Sequence, residues 1–349
     1  MITFYPGPSK IYPEVADYFR EGLESGILSM NHRSDAFMAL LSGTNALLKE
    51  KLLIPDDYRI VFASSATECW EIIAQSVIKE RSVHCFNGAF GEKWMNYTQK
   101  LGKQVEPVRF DIEGFPQAGL PNNAELICLT QNETSNGTQV PVEVIGQIRS
   151  DYKDQLIAVD ATSSLGGISL PVSSADIWFA SVQKCFGLPS GMAVMIISPQ
   201  AVERIYAINE RSHYNSLTFL LDNASKNQTA YTPNIADIYL LSRVLSDSLT
   251  VEKIHQDTIA KHEILSGFVC GSDDFSFLIS NAAVRSFTVF ALNSKQPINQ
   301  LMKLALENQI ILGAGYGDLK EDTFRIANFP AIQMSEFEVL IEFLSDFNR

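Results

Sequence analysis

The chain has 349 residues, of which 46% are hydrophobic and 19% are charged. That length and composition are typical of a globular protein with a large buried core and argue against disorder. The net charge of −13 and the isoelectric point near 4.9 argue against nucleic-acid binding, because no basic cluster offsets the repulsion from phosphates.

Cysteine usage and apolar stretches indicate the compartment. The five cysteines are odd in number, widely spaced and free of any C-x-x-C unit, so the sequence predicts neither a disulfide framework nor a metal site. The N-terminus MITFYPGPSK lacks a signal-peptide pattern, and apolar stretches such as MAVMII are far shorter than the about 20 residues that span a membrane. We therefore expect a cytoplasmic protein without membrane contact.

The first part of the chain predicts a helix followed by a repeated strand and helix pattern. An amphipathic helix is expected over residues 34–53, capped by Ser34 or Asp35. From about residue 59 to 197, short apolar runs alternate with helix-like stretches: RIVFA, TECWEIIAQSVI, SVHCFN, FGEKWMNYTQKLG, ELICLT, VEVIGQIRSDY and LIAVD. This alternation predicts an α/β fold with a large, mostly parallel sheet covered by helices.

The rest of the chain predicts a second, smaller α/β lobe. Helices are expected near residues 199–209, 234–248 and 250–268, and the last is long enough to connect two domains. Beyond residue 270 the pattern restarts with SFTVFAL, a helix at 298–308, the turn LGAGYGD, the strand-like TFRIANF and a final helix at 335–347.

The domain bounds follow from this restart. We expect a large domain over residues 16–255 and a small C-terminal domain over residues 256–349, which the N-terminal segment 1–15 joins. No Ser/Gly-rich linker separates the two, so a shared rigid interface is expected.

Two residues that close apolar runs carry the main chemical signal. Asp160 ends LIAVD, and Lys184 follows ADIWFASVQ. A lysine just past a buried strand is shielded enough to form an imine, and a nearby aspartate holds a positive charge; pyridoxal 5′-phosphate needs both. The alternative is a solvated loop lysine and an aspartate that caps a helix or turn.

The segment VFASSATECWEII places small residues between a strand and a helix. Backbone N–H groups at such a helix start can bind a phosphate, and the hydroxyls of Ser64, Ser65 and Thr67 can add donors. A simple N-cap uses the same residues, so that alternative stays open.

Other candidates are single residues. Phe90 follows the strand SVHCF, where its ring can face a cofactor, although most phenylalanines in such a place are ordinary core residues. Arg325 offers a planar fork that matches a carboxylate, although an unpaired surface arginine is the more common outcome. His32 and Arg33 form a cationic pair before a helix that can bind an anionic substrate, or serve the structure of the helix start.

Taken in order, these and other segments resemble the phosphoserine aminotransferases, within the class V group of pyridoxal-phosphate enzymes of fold type I. The segments that carry the resemblance span nearly the whole chain: FYPGPSKIYPEV, MNHRSDAF, FASSATE, NGAFGEKW, QNETSNGT, VDATSS, ASVQKCFGLPSG, YTPNIADIY and TFRIANF.

The resemblance implies a role for each matching position. It makes Lys184 the residue that bonds the cofactor, Asp160 the partner of the pyridinium nitrogen and Phe90 the ring stacked on the cofactor. It also implies cofactor contacts from Ser65, Ala66, Thr67, Thr134 and Gln183, from Thr232 of a neighbouring subunit, and substrate contacts from His32, Arg33 and Arg325. Arg325 would hold the substrate α-carboxylate, and His32 with Arg33 would hold the distal phosphate. The resemblance also implies a homodimer with shared active sites.

The resemblance has departures that leave the amino donor open. Phe90 stands where the family usually has Trp, Tyr231-Thr232 where it usually has Asn-Thr, and Ala66 near a place where many members have a phosphate-binding arginine. One guanidinium contact to phosphate is worth about 1.5–3 kcal/mol per charge-assisted hydrogen bond.

The function predicted is a transaminase that exchanges amino groups between phosphoserine and 2-oxoglutarate in serine biosynthesis, giving 3-phosphohydroxypyruvate and glutamate. The alternatives are a serine–pyruvate or alanine–glyoxylate aminotransferase, or a noncatalytic binding protein of the same fold. A cysteine desulfurase is disfavoured, because no cysteine lies in a suitable glycine/serine-rich loop.

Overall fold

The computed structural model describes residues 1–117 and 119–347. Its α-helices are α1 Val15–Glu24, α2 Asp35–Leu52, α3 Ala66–Ser76, α4 Ala89–Lys100, α5 Val142–Asp151, α6 Pro199–Ile208, α7 Leu217–Ala224, α8 Ile235–Asp247, α9 Val251–Gly271, α10 Ile298–Glu307 and α11 Met334–Asp346. Its strands are β1 Ile2–Thr3, β2 Arg59–Ala63, β3 Arg81–Phe86, β4 Gln104–Arg109, β5 Leu126–Thr130, β6 Asn132–Glu133, β7 Thr138–Gln139, β8 Leu156–Asp160, β9 Ile177–Ser181, β10 Ala193–Ile197, β11 Phe275–Phe277, β12 Val289–Ser294, β13 Ile310–Ile311, β14 Gly313–Ala314 and β15 Thr323–Ala327.

Local sequence explains where several helices begin. Ser34 caps α2 by accepting a hydrogen bond from the N–H of Phe37 at 3.2 Å, as one of the two expected caps. Ser198 caps α6 in the same way, and Pro199 at the first helical position has the φ angle that a helix needs.

The large sheet has seven strands in the order β2-β10-β9-β8-β5-β3-β4. Strands β9, β8, β5, β3 and β4 are parallel, and β10 runs antiparallel to both of its neighbours. The prediction of a mostly parallel sheet is confirmed. Every residue of β5, β8, β9 and β10 is buried, because helices cover both faces.

Alternating side chains of the central strands pack into two separate hydrophobic cores, one on each face of the sheet. Val159 and Trp178 point to the face that α2 and α8 cover, whereas Ala158 and Phe179 point to the face that α3 and α4 cover. The sheet is therefore a rigid middle layer, and the carboxyl ends of β5, β8 and β9 meet at one edge.

A second sheet forms the smaller lobe, with the order β11-β12-β15-β14 and antiparallel pairing throughout. The N-terminal strand β1 returns to this lobe and pairs with β13 in parallel. Helix α9 runs between the lobes, since Val251 packs in a core of the large sheet and Leu265 packs in the core of the small one. The exact domain bounds stay a prediction.

Within residues 1–117 and 119–347, no helix is both long and apolar enough to cross a membrane.

Candidate active site

Lys184 lies three residues beyond β9, in a loop that turns back under the sheet edge. Its side chain is 8% exposed, and Nζ donates hydrogen bonds to Ser163 Oγ at 2.9 Å and Thr134 Oγ1 at 3.2 Å. Burial lowers the pKa of Lys184 to about 8, and the nearby charge of Asp160 opposes this shift. Its amine is therefore partly neutral near physiological pH and can act as a nucleophile.

Asp160 is the last residue of β8 and is buried. Its Oδ2 accepts a hydrogen bond from Trp70 Nε1 at 3.1 Å, and its Oδ1 accepts one from the N–H of Thr162 at 2.9 Å. Burial raises the pKa of Asp160, while these hydrogen bonds and the charge of Lys184 lower it. The carboxylate is thus held rigidly, with donors that favour its ionised form.

Phe90 forms an aromatic wall beside the lysine. Lys184 Nζ lies 5.5 Å from the centre of the Phe90 ring. The same ring packs at 5.2 Å against Tyr316, which comes from the loop after β14. The two lobes therefore meet at this ring.

Glu133 is a buried acid at the site that the sequence analysis did not single out. Its Oε2 accepts hydrogen bonds from the N–H groups of Phe90 and Gly91, each at 3.1 Å, and its Oε1 accepts from the N–H and hydroxyl of Ser135. A Cβ on Gly88 would lie 2.3 Å from Glu133 Cγ, so this approach requires glycine. The carboxylate caps the start of α4, which carries Phe90.

The turn before α3 forms the expected N-cap. Ser65 caps the helix by accepting from the N–H of Glu68 at 3.0 Å, and the N–H of Ala66 donates to Ser181 Oγ at 3.0 Å. Thr67 is exposed at the same helix start. The cap is thus present, and the turn also borders the cavity that holds Lys184.

One cavity of about 200 Å³ brings most of the predicted residues together. Its lining includes Lys184, Asp160, Phe90, Thr134, Gln183, Ala66 and Thr67. Several buried polar atoms around it have no hydrogen-bond partner in the described part of the chain, namely Thr162 Oγ1, Gln183 Oε1 and both amide atoms of Asn132. Buried polar groups normally are paired, so this cavity is built for a polar ligand.

Arg325 lies on β15 of the small lobe and is 5% exposed. It donates to the carbonyl oxygens of Ala314 and Thr134, each at 2.9 Å, which ties it to the edge of the cavity. Its guanidinium carbon is 5.4 Å from the centre of the Tyr316 ring. Burial lowers the pKa of Arg325, although an arginine stays charged under ordinary conditions.

Three of the predicted residues lie close to one another but do not line the Lys184 cavity of their own chain. Thr232 Oγ1 is 3.5 Å from His32 Nδ1, and Arg33 donates to Gln228 Oε1 at 2.8 Å. Thr232 and Gln228 line a neighbouring cavity of about 220 Å³. One chain therefore does not bring His32, Arg33 and Thr232 to its own Lys184.

Sequence reasoning missed Trp70, Glu133 and Gly7. Trp70 is 90 residues from its partner Asp160. Gly7 packs against Lys184, and a Cβ there would lie 2.8 Å from Lys184 Cε. The motif QNETSNGT carries no local signal for Glu133, because a glutamate is almost never fully buried unless it is paired.

Comparison with known proteins places this geometry in a family. The model of the family "Aminotransferase class-V" matches residues 3–317. The chain belongs to the class-V aminotransferase family. This aminotransferase is 28% identical to the phosphoserine aminotransferase of Corynebacterium glutamicum over 356 residues, covering 97% of this chain and 93% of the relative.

Solved structures agree with this assignment. The structure of a phosphoserine aminotransferase SerC from Cytophaga hutchinsonii matches with a TM-score of 0.96 and 36% identity, over 99% of this chain and 98% of that one. An alanine–glyoxylate aminotransferase from Nostoc sp. matches with a TM-score of 0.83 and 20% identity, over 100% of this chain and 95% of that one, which shows the shared fold. The expected fold type I architecture and transaminase class are confirmed.

The residues present fit the cofactor on which class-V aminotransferases generally depend, pyridoxal phosphate. The cavity offers a buried amine with a lowered pKa, a buried carboxylate, an aromatic ring and unpartnered polar atoms. Among the residues that the structure describes, no group of three or more His, Cys, Asp or Glu side chains is placed to hold a metal ion.

Proposed function

We propose that this aminotransferase binds pyridoxal phosphate in the Lys184 cavity and transfers the amino group of phosphoserine to 2-oxoglutarate. The observation that carries the proposal is the buried Lys184 amine, 5.5 Å from the centre of the Phe90 ring in the cavity that Asp160 also lines.

The cofactor contacts follow from this cavity. Lys184 would bond the cofactor aldehyde, Phe90 would stack on the ring, and Asp160 would face the ring nitrogen. Thr134 and Gln183 would supply polar contacts, and Ser65, Ala66 and Thr67 would hold the phosphate at the start of α3. When bound, the cofactor accepts electrons from the substrate α-carbon.

Lys184 also has a part in proton transfer. With the cofactor bound, Lys184 Nζ would take the proton from the substrate α-carbon and later release it. A pKa of about 8 suits this exchange, because the amine can both accept and release a proton near neutral pH. Ser163 and Thr134 hold the amine in position through the hydrogen bonds described above.

The named relatives support phosphoserine as the substrate, and Arg325 supports the binding of an amino acid in general. The relatives from C. glutamicum and C. hutchinsonii are both named phosphoserine aminotransferases. In this chain, the buried Arg325 is suited to bind the α-carboxylate that every amino acid carries, and its hydrogen bond to the Thr134 carbonyl orients the guanidinium.

A homodimer with shared sites would explain the separate position of Thr232, His32 and Arg33. We propose that these residues serve the cavity of the partner subunit, where His32 and Arg33 meet the distal phosphate of the substrate. The five cysteines are unpaired, which suits the reducing cytoplasm as the place of this enzyme.

A second candidate donor is alanine or unphosphorylated serine. The observation that favours it is Ala66, which supplies no cation to a substrate phosphate. A noncatalytic role is disfavoured, because Lys184 and Asp160 are both in place.

A comparison of three donors tests the substrate. We expect kcat/KM for phosphoserine to exceed those for serine and alanine in the wild-type enzyme. Arg325→Ala should lower all three values, since all donors share the α-carboxylate. Arg33→Ala should lower the value for phosphoserine about tenfold or more and leave the others nearly unchanged, because only that donor loses a charged contact. A wild-type preference for alanine or serine would overturn the assignment.

A further inference from the structure

Lys93 lies one helical turn beyond Phe90 on α4, beside the ring that lines the Lys184 cavity. Its side chain is exposed, and Nζ lies 5.5 Å from the centre of the Phe90 ring and 5.0 Å from that of Tyr316. The amine donates a hydrogen bond to the Tyr316 hydroxyl at 2.5 Å. Lys93 thus bridges the large and small lobes directly over the aromatic wall.

Two other cations border the same pair of rings. Lys184 Nζ is 5.5 Å from the centre of the Phe90 ring, and the Arg325 guanidinium carbon is 5.4 Å from that of Tyr316. Lys93 is therefore the most exposed of three basic side chains arranged around two adjoining rings.

Among the described residues, Lys93 has no acidic partner at ion-pair distance. In the described part of the chain, no carboxylate oxygen lies within 4.0 Å of the charged nitrogens of Lys93, Lys184 or Arg325. The chain carries 40 acidic against 27 basic residues, and Lys93 still has no carboxylate of the described residues at that distance. An exposed ammonium without a carboxylate partner is open to an anionic ligand.

The orientation of the substrate determines which of its ends Lys93 could contact. The amino group must reach the cavity beside Lys184, and Arg325 is suited to the α-carboxylate, so the remaining end of the substrate is free to meet a cation beside the Phe90 and Tyr316 rings. Lys93 has a flexible, exposed side chain there. Its ammonium has three donors, of which the Tyr316 hydroxyl uses one.

We propose that Lys93 is a specificity-determining residue that binds the distal phosphate of the substrate. The inference rests on the proposed use of phosphoserine. It identifies a cation for the phosphate within the same chain, where Ala66 has no charged side chain to offer.

Binding of a nonreacting probe tests this residue. The probe is 3-phosphoglycerate, which has a carboxylate and a phosphate but no amine, and glycerate is its match without phosphate. Calorimetry on the holoenzyme should show that Lys93→Ala weakens 3-phosphoglycerate binding about tenfold or more, the loss of one charge-assisted hydrogen bond, and leaves glycerate binding unchanged. Lys93→Arg should retain most of the affinity.

The matched control is Lys100→Ala. Lys100 is also exposed on α4 and also lies over an aromatic ring, 4.9 Å from the centre of Tyr97, so its removal changes the net charge equally. It should leave binding of both probes unchanged.

The outcomes distinguish the role of Lys93 from phosphate recognition by the enzyme as a whole. Unchanged 3-phosphoglycerate binding in Lys93→Ala, or an equal loss for both probes, overturns the role of Lys93 alone. A wild-type holoenzyme that binds 3-phosphoglycerate no more tightly than glycerate overturns phosphate recognition, and the role of Lys93 with it.

Discussion

At the scale of single residues, the main feature is a lysine whose burial sets its chemistry. Removing an ammonium from water is unfavourable, and a buried amine responds by losing its proton more readily. Lys184 shows this effect, with a pKa of about 8. Asp160 limits the shift through its opposite charge, so the amine still exchanges protons near neutral pH.

Competitive chemical labelling can measure this shift in the cofactor-free protein. Only the neutral amine reacts with acetic anhydride, and the lowered pKa means that the neutral fraction grows as the pH rises through about 8. We expect labelling of the Lys184 peptide to show its midpoint there, after correction for accessibility. A free lysine amine in the same tube provides the control, with a midpoint of about 10.4. A Lys184 midpoint near that value would contradict the described environment.

At the scale of elements, the start of α4 positions the aromatic wall. Anionic groups stabilise helix N-termini, where backbone N–H groups lack partners. Glu133 supplies such an anion from β6 and accepts from the N–H groups of Phe90 and Gly91. Burial raises the pKa of Glu133, and its hydrogen bonds to Ser135 and Gly91 oppose that shift.

Glu133→Gln tests this arrangement. The amide keeps the shape but replaces one of the accepting oxygens by a donor, so one side of the network is left unsatisfied. We expect the free energy of unfolding to fall by about 1–3 kcal/mol, measured by urea denaturation. Binding of pyridoxal phosphate, followed by its absorbance, should also weaken because Phe90 is less well held.

The control for this substitution is Glu143→Gln. Glu143 is an exposed acid in the first turn of α5, where the same change should cost less than about 1 kcal/mol. Equal losses of stability in the two variants, with unchanged cofactor binding, would refute the positioning role of Glu133.

The elements also show what sequence can and cannot predict. Long apolar runs and serine caps placed most strands and helices, since their patterns are local, as with β8 and α2. The antiparallel direction of β10 leaves no such trace, because AVMII has the composition of its parallel neighbours. Strands of two residues, such as β1 and β6, are too short to show periodicity.

At the site, too, features with a local sequence pattern were predictable and contacts between distant segments were not. Lys184 and Asp160 were predictable because each closes an apolar run at the same edge of the sheet. The contact of Trp70 with Asp160 and that of Lys93 with Tyr316 depend on packing between distant segments, 90 and 223 residues apart in sequence. A single sequence carries no pattern for such pairs.

At the scale of the whole molecule, the two lobes share the site, and we propose that two subunits do as well. Within one chain, Phe90 from the large lobe meets Tyr316 from the small lobe. Thr232 and His32, in contrast, form a separate exposed group beside a neighbouring cavity. A partner subunit would bring that group to a second Lys184 cavity.

Subunit mixing tests this proposal. Lys184→Ala and Thr232→Asp should each be inactive, the second because its charge repels the cofactor phosphate. After joint refolding, a heterodimer would contain one intact site, so about a quarter of wild-type activity should return. Mixing Lys184→Ala with Asp160→Ala is the control and should restore nothing, because both residues come from the same chain. No recovery in the first mixture, with heterodimers present, would argue against shared sites.

Borohydride reduction of the holoenzyme, followed by peptide mapping, identifies the lysine that bonds the cofactor. Reduction converts a covalent link between cofactor and lysine into a stable one that mass spectrometry can locate. We expect one cofactor per chain, on the peptide that contains Lys184, and no label on the Lys184→Ala variant. A label on Lys93 or any other lysine in place of Lys184 would overturn this role of Lys184.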